Sequence, residues 1–279
     1  MIKVVCWNIG RTHKPLEDLL EMDADVALLQ EVYPRGRGWL STCKNGVAVS
    51  SQEPWEPWPY DSYDRWPLVV KLSDRVKVEW FKQTVPTRWV QDDEIAVSGI
   101  GTIAAAKIIP ESGAEPIIAV SMYARWFETK PTNGTGWIYP DASAHRIVSD
   151  LSVFIGSYDT STHRILAAGD LNVSFFSSDA FDVRAQTIVD RMKALGLEYM
   201  GPQYPNGRRA DPIPAHLTED SLDVPTYHTV RNSPATAHVQ VDHVFASRGF
   251  HESIRTRALN GVDEWGSSDH CRILIEIED

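Results

Sequence analysis

Short polar motifs stand along this chain where side chains could act together on one small polar target. One of them, Gly169-Asp170-Leu171-Asn172, follows the apolar run from Ile165 to Ala168. A carboxylate such as Asp170 can take a proton from water or hold a cation. The amide of Asn172 can donate to an anionic oxygen or orient the same water. Because Gly, Asp and Asn are also the commonest turn formers, this stretch by itself is more typical of a turn.

Two further apolar runs, Ile2 to Trp7 and Val26 to Gln30, end on Asn8 and Glu31. The segment between them has the periodicity of a short helix. The pattern therefore indicates two strands joined by a helix, each ending on a side chain that could contact a metal or a phosphate. Taken singly, Asn8 is more typical of a turn and Glu31 of a solvated strand end.

A histidine and a carboxylate near the end of the chain favour a buried pair. Asp242 lies inside the apolar run from Val239 to Ala246, where a carboxylate is costly unless it is paired. Asp269 and His270 come just before the last strand-like run. A lone His270 would more often be structural, but an upstream Asp242 indicates a His–carboxylate pair.

Candidate anion contacts lie at two places. Tyr123 closes a strand-like run and Arg125 follows it, so a phenol and a guanidinium could bind phosphate there or simply form a strand edge. Arg208 and Arg209 lie in the long irregular stretch from Gly201 to Thr226 and are the best candidates to contact a polyanion, although a solvated charge pair is the more common case.

The segment from Pro54 to Pro67 combines several aromatic residues with four prolines, a density that predicts a loop. Its aromatic rings could stack on bases. Covering a hydrophobic edge is the more common use of such residues.

Composition bounds the function. With 279 residues, 43% of them hydrophobic and 23% charged, the chain can bury a sizeable core and is expected to form one domain over residues 1–279. A net charge of −11 speaks against nucleic-acid binding through bulk positive charge. It does not exclude a nuclease, because a bound divalent cation supplies a local positive field.

The cysteines and the apolar runs of the chain bear on its cellular location and its partners. Cys6, Cys43 and Cys271 are odd in number and lack metal-type spacing, so reduced thiols and a cytoplasmic location are expected. Ile2 to Trp7 reads as a strand and not as part of a signal peptide. No apolar run approaches the ~20 residues of a membrane helix, so no membrane association is expected; no protein partner is evident.

Strands outnumber helices, and most strands carry apolar residues on both faces, which predicts two packed sheets with helices outside. Leu68 to Leu72 and Val76 to Phe81 are predicted to form a hairpin. Gly99 to Ile109 and Ile117 to Tyr123 are predicted to pair.

Together the motifs resemble the endonuclease/exonuclease/phosphatase family, which includes deoxyribonuclease I-like and exonuclease III-like enzymes, sphingomyelinases and inositol polyphosphate 5-phosphatases. The motifs that carry the resemblance, in family order, are Trp7-Asn8, Gln30-Glu31, Gly169-Asp170-Leu171-Asn172, Asp242-His243 and Ser268-Asp269-His270. The resemblance implies a four-layered α/β sandwich, with two packed, mainly antiparallel sheets flanked by helices. It also implies metal-dependent hydrolysis of a phosphate ester.

The resemblance further implies a metal site. Glu31 is similar to the family's main Mg²⁺ ligand, with Asn8 beside it and Asp269 facing the metal region; Mn²⁺ could replace Mg²⁺. Mg²⁺ keeps several waters and few protein carboxylates, which suits such a set. Some family nucleases carry an acid where this chain has Gly10. The metal site is then simpler, or shared with Asp269.

The catalytic roles are implied in the same way. Asp170 is similar to the residue that orients or deprotonates the attacking water, with Asn172 supporting it. His270 would contact the scissile phosphate and stabilise its developing charge. Asp242 would raise the pKa of His270 and fix its tautomer, and Tyr123 would lie near the phosphate.

Three functions remain open on the sequence. The favoured one is a Mg²⁺-dependent nuclease cutting DNA or RNA; the second is a phosphoesterase acting on a small molecule or lipid headgroup; the third is a non-catalytic binding protein. The third is weakest because Glu31, Asp170 and His270 are all present. The aromatic segment and the arginine pair favour nucleic acid, whereas the net charge does not.

Overall fold

A computed structural model describes residues 1–32, 43–44, 47–52, 66–86, 89–98, 102–125, 128–129, 137–156, 162–175, 182–229 and 231–278. The α-helices of this part of the chain are α1 (Lys14–Glu21), α2 (Tyr139–Leu151) and α3 (Asp182–Ala194). Its strands, in chain order, are β1 (Ile2–Asn8), β2 (Val26–Val32), β3 (Cys43–Lys44), β4 (Val47–Ala48), β5 (Ser50–Ser51), β6 (Trp66–Lys71), β7 (Val76–Trp80), β8 (Lys82–Thr84), β9 (Glu94–Ala96), β10 (Ile103–Pro110), β11 (Ile117–Tyr123), β12 (Glu128–Thr129), β13 (Trp137–Ile138), β14 (Ile165–Asp170), β15 (Leu197–Gly201), β16 (Asp242–Ser247), β17 (Ile254–Leu259) and β18 (Arg272–Ile277). Of the helices described, none has the length and apolar character needed to cross a bilayer.

Two six-stranded sheets organise the molecule, in the orders β17-β18-β1-β2-β6-β5 and β15-β16-β14-β11-β10-β7. Each sheet is antiparallel except at one pair, β1 with β2 in the first and β11 with β14 in the second. A parallel pair needs a crossover connection, and α1 and α2 lie in these two connections. The mainly antiparallel sheets expected from the sequence are therefore confirmed.

The sheets pack face to face, and apolar residues of both form one shared core. Val4 and Val26 from the first sheet lie in the same cluster as Ala119, Leu166 and Val244 from the second. On the outer faces, Leu16 and Leu19 of α1 cover the first sheet, while Ile147 of α2 and Ile188 of α3 cover the second. These layers make up the four-layered α/β sandwich that the sequence led us to expect.

One predicted pairing is wrong. β6 and β7 do not form a hairpin: β6 pairs with β2 in the first sheet, and β7 pairs with β10 in the second. The short link between them passes from one sheet to the other, and the Trp80 indole donates across the interface to the Val69 carbonyl at 2.8 Å. A short polar link specifies that two strands are close, but not whether they lie edge to edge or face to face. The predicted β10–β11 pair is confirmed.

Candidate active site

The carboxyl ends of both parallel pairs meet at one end of the sandwich. Asn8 ends β1, and Glu31 lies at the end of β2. Tyr123 and Asp170 end β11 and β14 directly opposite each other. Asp242 begins β16 opposite Asp170. Side chains that are far apart in sequence are thus gathered by the way the strands end.

Asp170 is the buried hub of this arrangement, with 1% of its surface exposed. Its Oδ1 accepts a hydrogen bond from the Asn172 backbone N–H at 2.8 Å. Its Oδ2 accepts from the amide groups of Asn8 at 2.9 Å and Asn172 at 3.0 Å. The Asn172 amide also donates to the Ala124 carbonyl at 2.8 Å. The orientation of the Asp170 carboxylate is therefore fixed by groups from three strand ends.

His270 lies between two carboxylates. Its Nδ1 is 2.8 Å from Asp242 Oδ2, and its Nε2 is 3.9 Å from Asp170 Oδ2. Because a carboxylate accepts, Nδ1 carries the proton in this pair and Nε2 faces Asp170. The Trp7 indole donates to the His270 carbonyl at 2.9 Å, which holds the backbone in place.

The charges of the site are strongly coupled. Burial lowers the pKa of His270, but the negative charges of Asp242, Asp170 and Asp269 outweigh it and raise that pKa to about 10. His270 is therefore a cation at neutral pH. Burial raises the pKa of Asp170 to about 8; Asp242 and Glu31 add to the rise, while the positive charge of His270 and the Asn172 N–H oppose it. The pocket thus holds more negative charge than His270 neutralises.

Glu31 is turned into this pocket by its backbone. Its φ of 52° is in the left-handed region, and the β2–β6 register shifts between Leu29 and Val32. The side chain is half-buried. The Tyr123 hydroxyl donates to Glu31 Oε1 at 3.0 Å, so a bond between the two sheets orients this carboxylate.

The donor set fits a divalent cation. Glu31 and Asp269 supply carboxylate oxygens and Asn8 an amide oxygen, the oxygen ligands that Mg²⁺ prefers. Asp242 Oδ1 is buried and, within the described residues, accepts no hydrogen bond. One ligand atom each from Asp170, Asp242 and His270 also lie within 4.8 Å of one another. A protonated imidazole has no lone pair to offer, so the oxygens are the groups suited to hold the ion.

Asp269 lies beside Gly10, which comes two residues after the Asn8 strand end. A Cβ on Gly10 would lie 3.1 Å from Asp269 Oδ1. The Ser268 hydroxyl donates to the Asn8 carbonyl at 2.7 Å and keeps this segment against β1. Asp269 therefore partly fills the space that a side chain at position 10 would occupy. This fits the expectation that Asp269, from the other end of the chain, supplies a carboxylate to the metal site.

The two arginines predicted to contact a polyanion, Arg208 and Arg209, bind other parts of the protein. The Arg208 guanidinium donates to the backbone carbonyls of Asn260, Arg209 and Pro234 at 3.3, 3.2 and 2.9 Å. Arg209 donates to the Glu219 carbonyl at 3.2 Å and lies over the Tyr204 ring, 4.3 Å from its centroid. These contacts fix the irregular segment against neighbouring parts of the chain and do not involve Asp170, so binding of substrate by the pair stays a prediction.

Arg125 follows the Tyr123 strand end, and its backbone N–H donates to the Ser143 hydroxyl of α2 at 3.1 Å. This bond ties the end of β11 to α2, and contact of Arg125 with a phosphate stays a prediction. The aromatic segment from Pro54 to Pro67 lies outside the described residues, apart from Trp66 and Pro67 in β6.

Sequence reasoning missed two residues of the site, Thr226 and Tyr227. The Thr226 hydroxyl accepts from the backbone N–H groups of Val241 and Asp242, each at 3.1 Å, and so positions Asp242. The Tyr227 ring centroid lies 4.9 Å from that of His270. They lie at the end of the irregular stretch and directly after it, where no periodicity signals which distant strand a residue will meet.

A family model described as Endonuclease/Exonuclease/phosphatase family matches residues 5–270 of the chain. A comparison with curated proteins finds no match. Against solved structures, the endonuclease domain of TRAS1, a telomere-specific non-LTR retrotransposon, is 18% identical with a TM-score of 0.59, covering 100% of this chain and 99% of that one.

The AP endonuclease LMAP from Leishmania major is 14% identical with a TM-score of 0.64, covering 100% of this chain and 88% of that one. The mannosyl-6-phosphatase Bt3783 from Bacteroides thetaiotaomicron is 12% identical with a TM-score of 0.58 over 100% of both chains. At these identities the likeness shows a common fold.

Proposed function

Because this chain belongs to the endonuclease/exonuclease/phosphatase family and is a metal-dependent phosphoesterase, we propose that it is a Mg²⁺-dependent nuclease that hydrolyses phosphodiester bonds of DNA or RNA. One observation carries the proposal: Asp170, His270 and Asp242 lie buried in one cluster, with Glu31 turned towards it. Two of the three structural neighbours named above are described as endonucleases, which supports nucleic acid as the substrate.

In this proposal each side chain acts at a defined atom. Asp170, held by the amides of Asn8 and Asn172, orients the attacking water and accepts its proton. Burial raises the pKa of Asp170 to about 8, so it acts as a base only in its ionised form, which a cation bound nearby would favour. His270, kept protonated by Asp242, faces the scissile phosphate through Nε2 and stabilises the charge that develops there.

Glu31 and Asn8, together with Asp269, would hold Mg²⁺ or Mn²⁺. The bound ion would polarise the phosphate oxygens and reduce the repulsion between the phosphate and the surrounding carboxylates. Tyr123 positions Glu31 through its 3.0 Å hydrogen bond, and Arg125 at the same strand end would contact a neighbouring phosphate.

A second candidate, hydrolysis of a small phosphomonoester, is favoured by one observation, the net charge of −11. An acidic surface repels a polyanion more than it repels a small substrate.

A cleavage panel distinguishes the two. Purified protein is given single- and double-stranded DNA, abasic DNA, RNA, a sugar phosphate and a phospholipid, each with Mg²⁺ and with EDTA. The nuclease proposal predicts Mg²⁺-dependent shortening of a nucleic acid and weak release of phosphate from the monoester. Turnover of the monoester alone would replace the nuclease proposal by the second candidate. An Asp170→Asn protein serves as the control for contaminating nuclease.

A further inference from the structure

Tyr227 is a residue of the site to which neither the sequence motifs nor the family resemblance gave a role. It forms isolated antiparallel bridges with both Val239 and His270, so its side chain lies next to that of His270. The two ring centroids are 4.9 Å apart with the planes tilted by 47°. His270 is buried whereas Tyr227 is only half-buried. The tyrosine ring therefore lies at the boundary between the buried imidazole and solvent.

The hydroxyl of Tyr227 differs from those of two other tyrosines near the site. Tyr123 donates to Glu31, and Tyr199 is bound between His243 and Gln240 at 3.2 and 3.1 Å. In the described part of the chain, no hydrogen bond of the Tyr227 hydroxyl is found. A donor that is half-exposed and without an internal partner is available to a ligand.

The backbone next to Tyr227 runs alongside the segment that carries Asp269. The following residue, His228, donates its backbone N–H to the Asp269 carbonyl at 3.0 Å. Burial raises the pKa of the Tyr227 phenol, and the negative charges of Asp269, Asp170 and Glu31 raise it further. The phenol therefore stays protonated at neutral pH and can donate but carries no charge.

We propose that the Tyr227 hydroxyl donates a hydrogen bond to the scissile phosphate group, as a further substrate-contacting residue beside His270. The inference rests on the proposed function, since it takes the phosphate of a diester to be the ligand. A phosphate entering a pocket rich in carboxylates needs donors to offset repulsion, and among the described residues His270 is the only cation bound directly to the Asp170–Asp242 cluster. A neutral donor adds attraction without competing for the metal.

The test is Tyr227→Phe, which removes one oxygen and keeps the ring against His270. A hydrogen bond to a charged group is worth about 1.5–3 kcal/mol, so kcat/KM should fall by roughly 10- to 100-fold. The fall should be similar on an oligonucleotide and on bis(4-nitrophenyl) phosphate, since both present the same phosphodiester. Tyr204→Phe, which removes a hydroxyl from a side chain that is 47% exposed, should leave both rates unchanged. Equal melting temperatures establish that both variants fold.

Unchanged kinetics in Tyr227→Phe, in a protein whose wild type is active, would overturn the inference and leave the proposed function standing. A fall in kcat/KM on the oligonucleotide alone would also overturn the inference, because the Tyr227 hydroxyl would then contact a sugar or a base and not the phosphate. Binding of inorganic phosphate in the presence of Mg²⁺ provides a readout that needs no turnover, and Tyr227→Phe should bind it at least about threefold more weakly. A wild type that neither cleaves a diester nor binds phosphate would overturn both proposals.

Discussion

At the scale of single residues, the site depends on buried charges that satisfy one another. Asp170 accepts three hydrogen bonds, and Asp242 binds His270 directly. A buried charge that loses its partner is costly. Substitutions here should therefore affect both turnover and stability, and the two effects must be measured together.

His270→Ala should lower kcat by at least ~10²-fold, because it removes the cation proposed to face the phosphate. The measurement is steady-state turnover with Mg²⁺, alongside a thermal melt. His238→Ala, at an exposed histidine, is the matched control. A loss below tenfold in a folded His270→Ala protein would assign the imidazole a structural role.

Asp223 gives a prediction about pH that is independent of the metal site. It is 5% exposed, and burial raises its pKa from 3.8 to about 7. Its Oδ1 accepts no hydrogen bond from the described residues. Because the folded pKa exceeds the unfolded one, the native state favours the protonated form. This residue's contribution to stability is thus full below pH 3.8 and is lost as the pH rises through about 7.

Asp223→Asn should therefore melt at a higher temperature than wild type at pH 8 and at nearly the same temperature at pH 4. The observable is the difference between the two melting curves across this range, which removes titrations common to both proteins. Asp263→Asn, at an exposed position, should match wild type throughout. A constant difference between Asp223→Asn and wild type would mean that this carboxyl does not titrate on unfolding.

At the scale of elements, two strand ends adopt the left-handed conformation at non-glycine residues. Glu31 has φ 52° and Asn172 has φ 51°. Such a conformation costs about 1–2 kcal/mol for most side chains, less for asparagine. In both cases the turn directs a polar side chain into the cluster and away from the path of the strand. Local backbone strain therefore helps to orient the Glu31 and Asn172 side chains towards the site.

Asn172→Gly and Asn172→Ala separate conformation from hydrogen bonding. Both remove the amide that donates to Asp170 and Ala124, so both should lose turnover. Only alanine adds the left-handed strain, so Asn172→Ala should be less stable than Asn172→Gly by about 1 kcal/mol. Denaturant titrations and kcat are compared. Full activity in Asn172→Gly would show that Asp170 does not need the amide.

At the scale of the whole molecule, the site lies where the two sheets face each other. Gln30 of the first sheet donates to the Ser121 hydroxyl of the second at 2.9 Å, and Ser121 donates back to the Leu29 carbonyl at 2.8 Å. These bonds lie one residue from Glu31 and two from Tyr123. Packing of the sheets therefore fixes the separation between the proposed metal ligands and the water-orienting carboxylate.

Metal binding should then stabilise the entire fold. Relative to EDTA, Mg²⁺ at ten times its Kd should add about 1.4 kcal/mol, a rise of roughly 2–3 °C in the melting temperature of a domain of this size. Glu31→Gln should abolish both this rise and Mg²⁺-dependent turnover, while Glu115→Gln, at an exposed site, should retain both. An equal Mg²⁺ shift in Glu31→Gln would remove Glu31 from the metal site.

The sequence by itself determined the two-sheet α/β class and the strand ends that carry Asn8, Glu31 and Asp170. It placed Asp242 inside a strand, whereas Asp242 begins β16, because an apolar run does not mark the residue at which strand pairing starts. Apolar runs and the polar residues that end them are local features, so they can be recognised from the sequence without knowledge of the fold. The link between β6 and β7 was misread because a short connection does not encode which sheet each strand joins.

Only the tertiary structure decided how the side chains meet. The left-handed turn at Glu31 accompanies a shift in strand register. Tyr227 lies beside His270 because the two residues form a bridge. The Arg208 guanidinium is held by hydrogen bonds to three backbone carbonyls. Each of these depends on partners far away in sequence. Their positions are set by the packing of the two sheets, and no local preference of the chain contains that information.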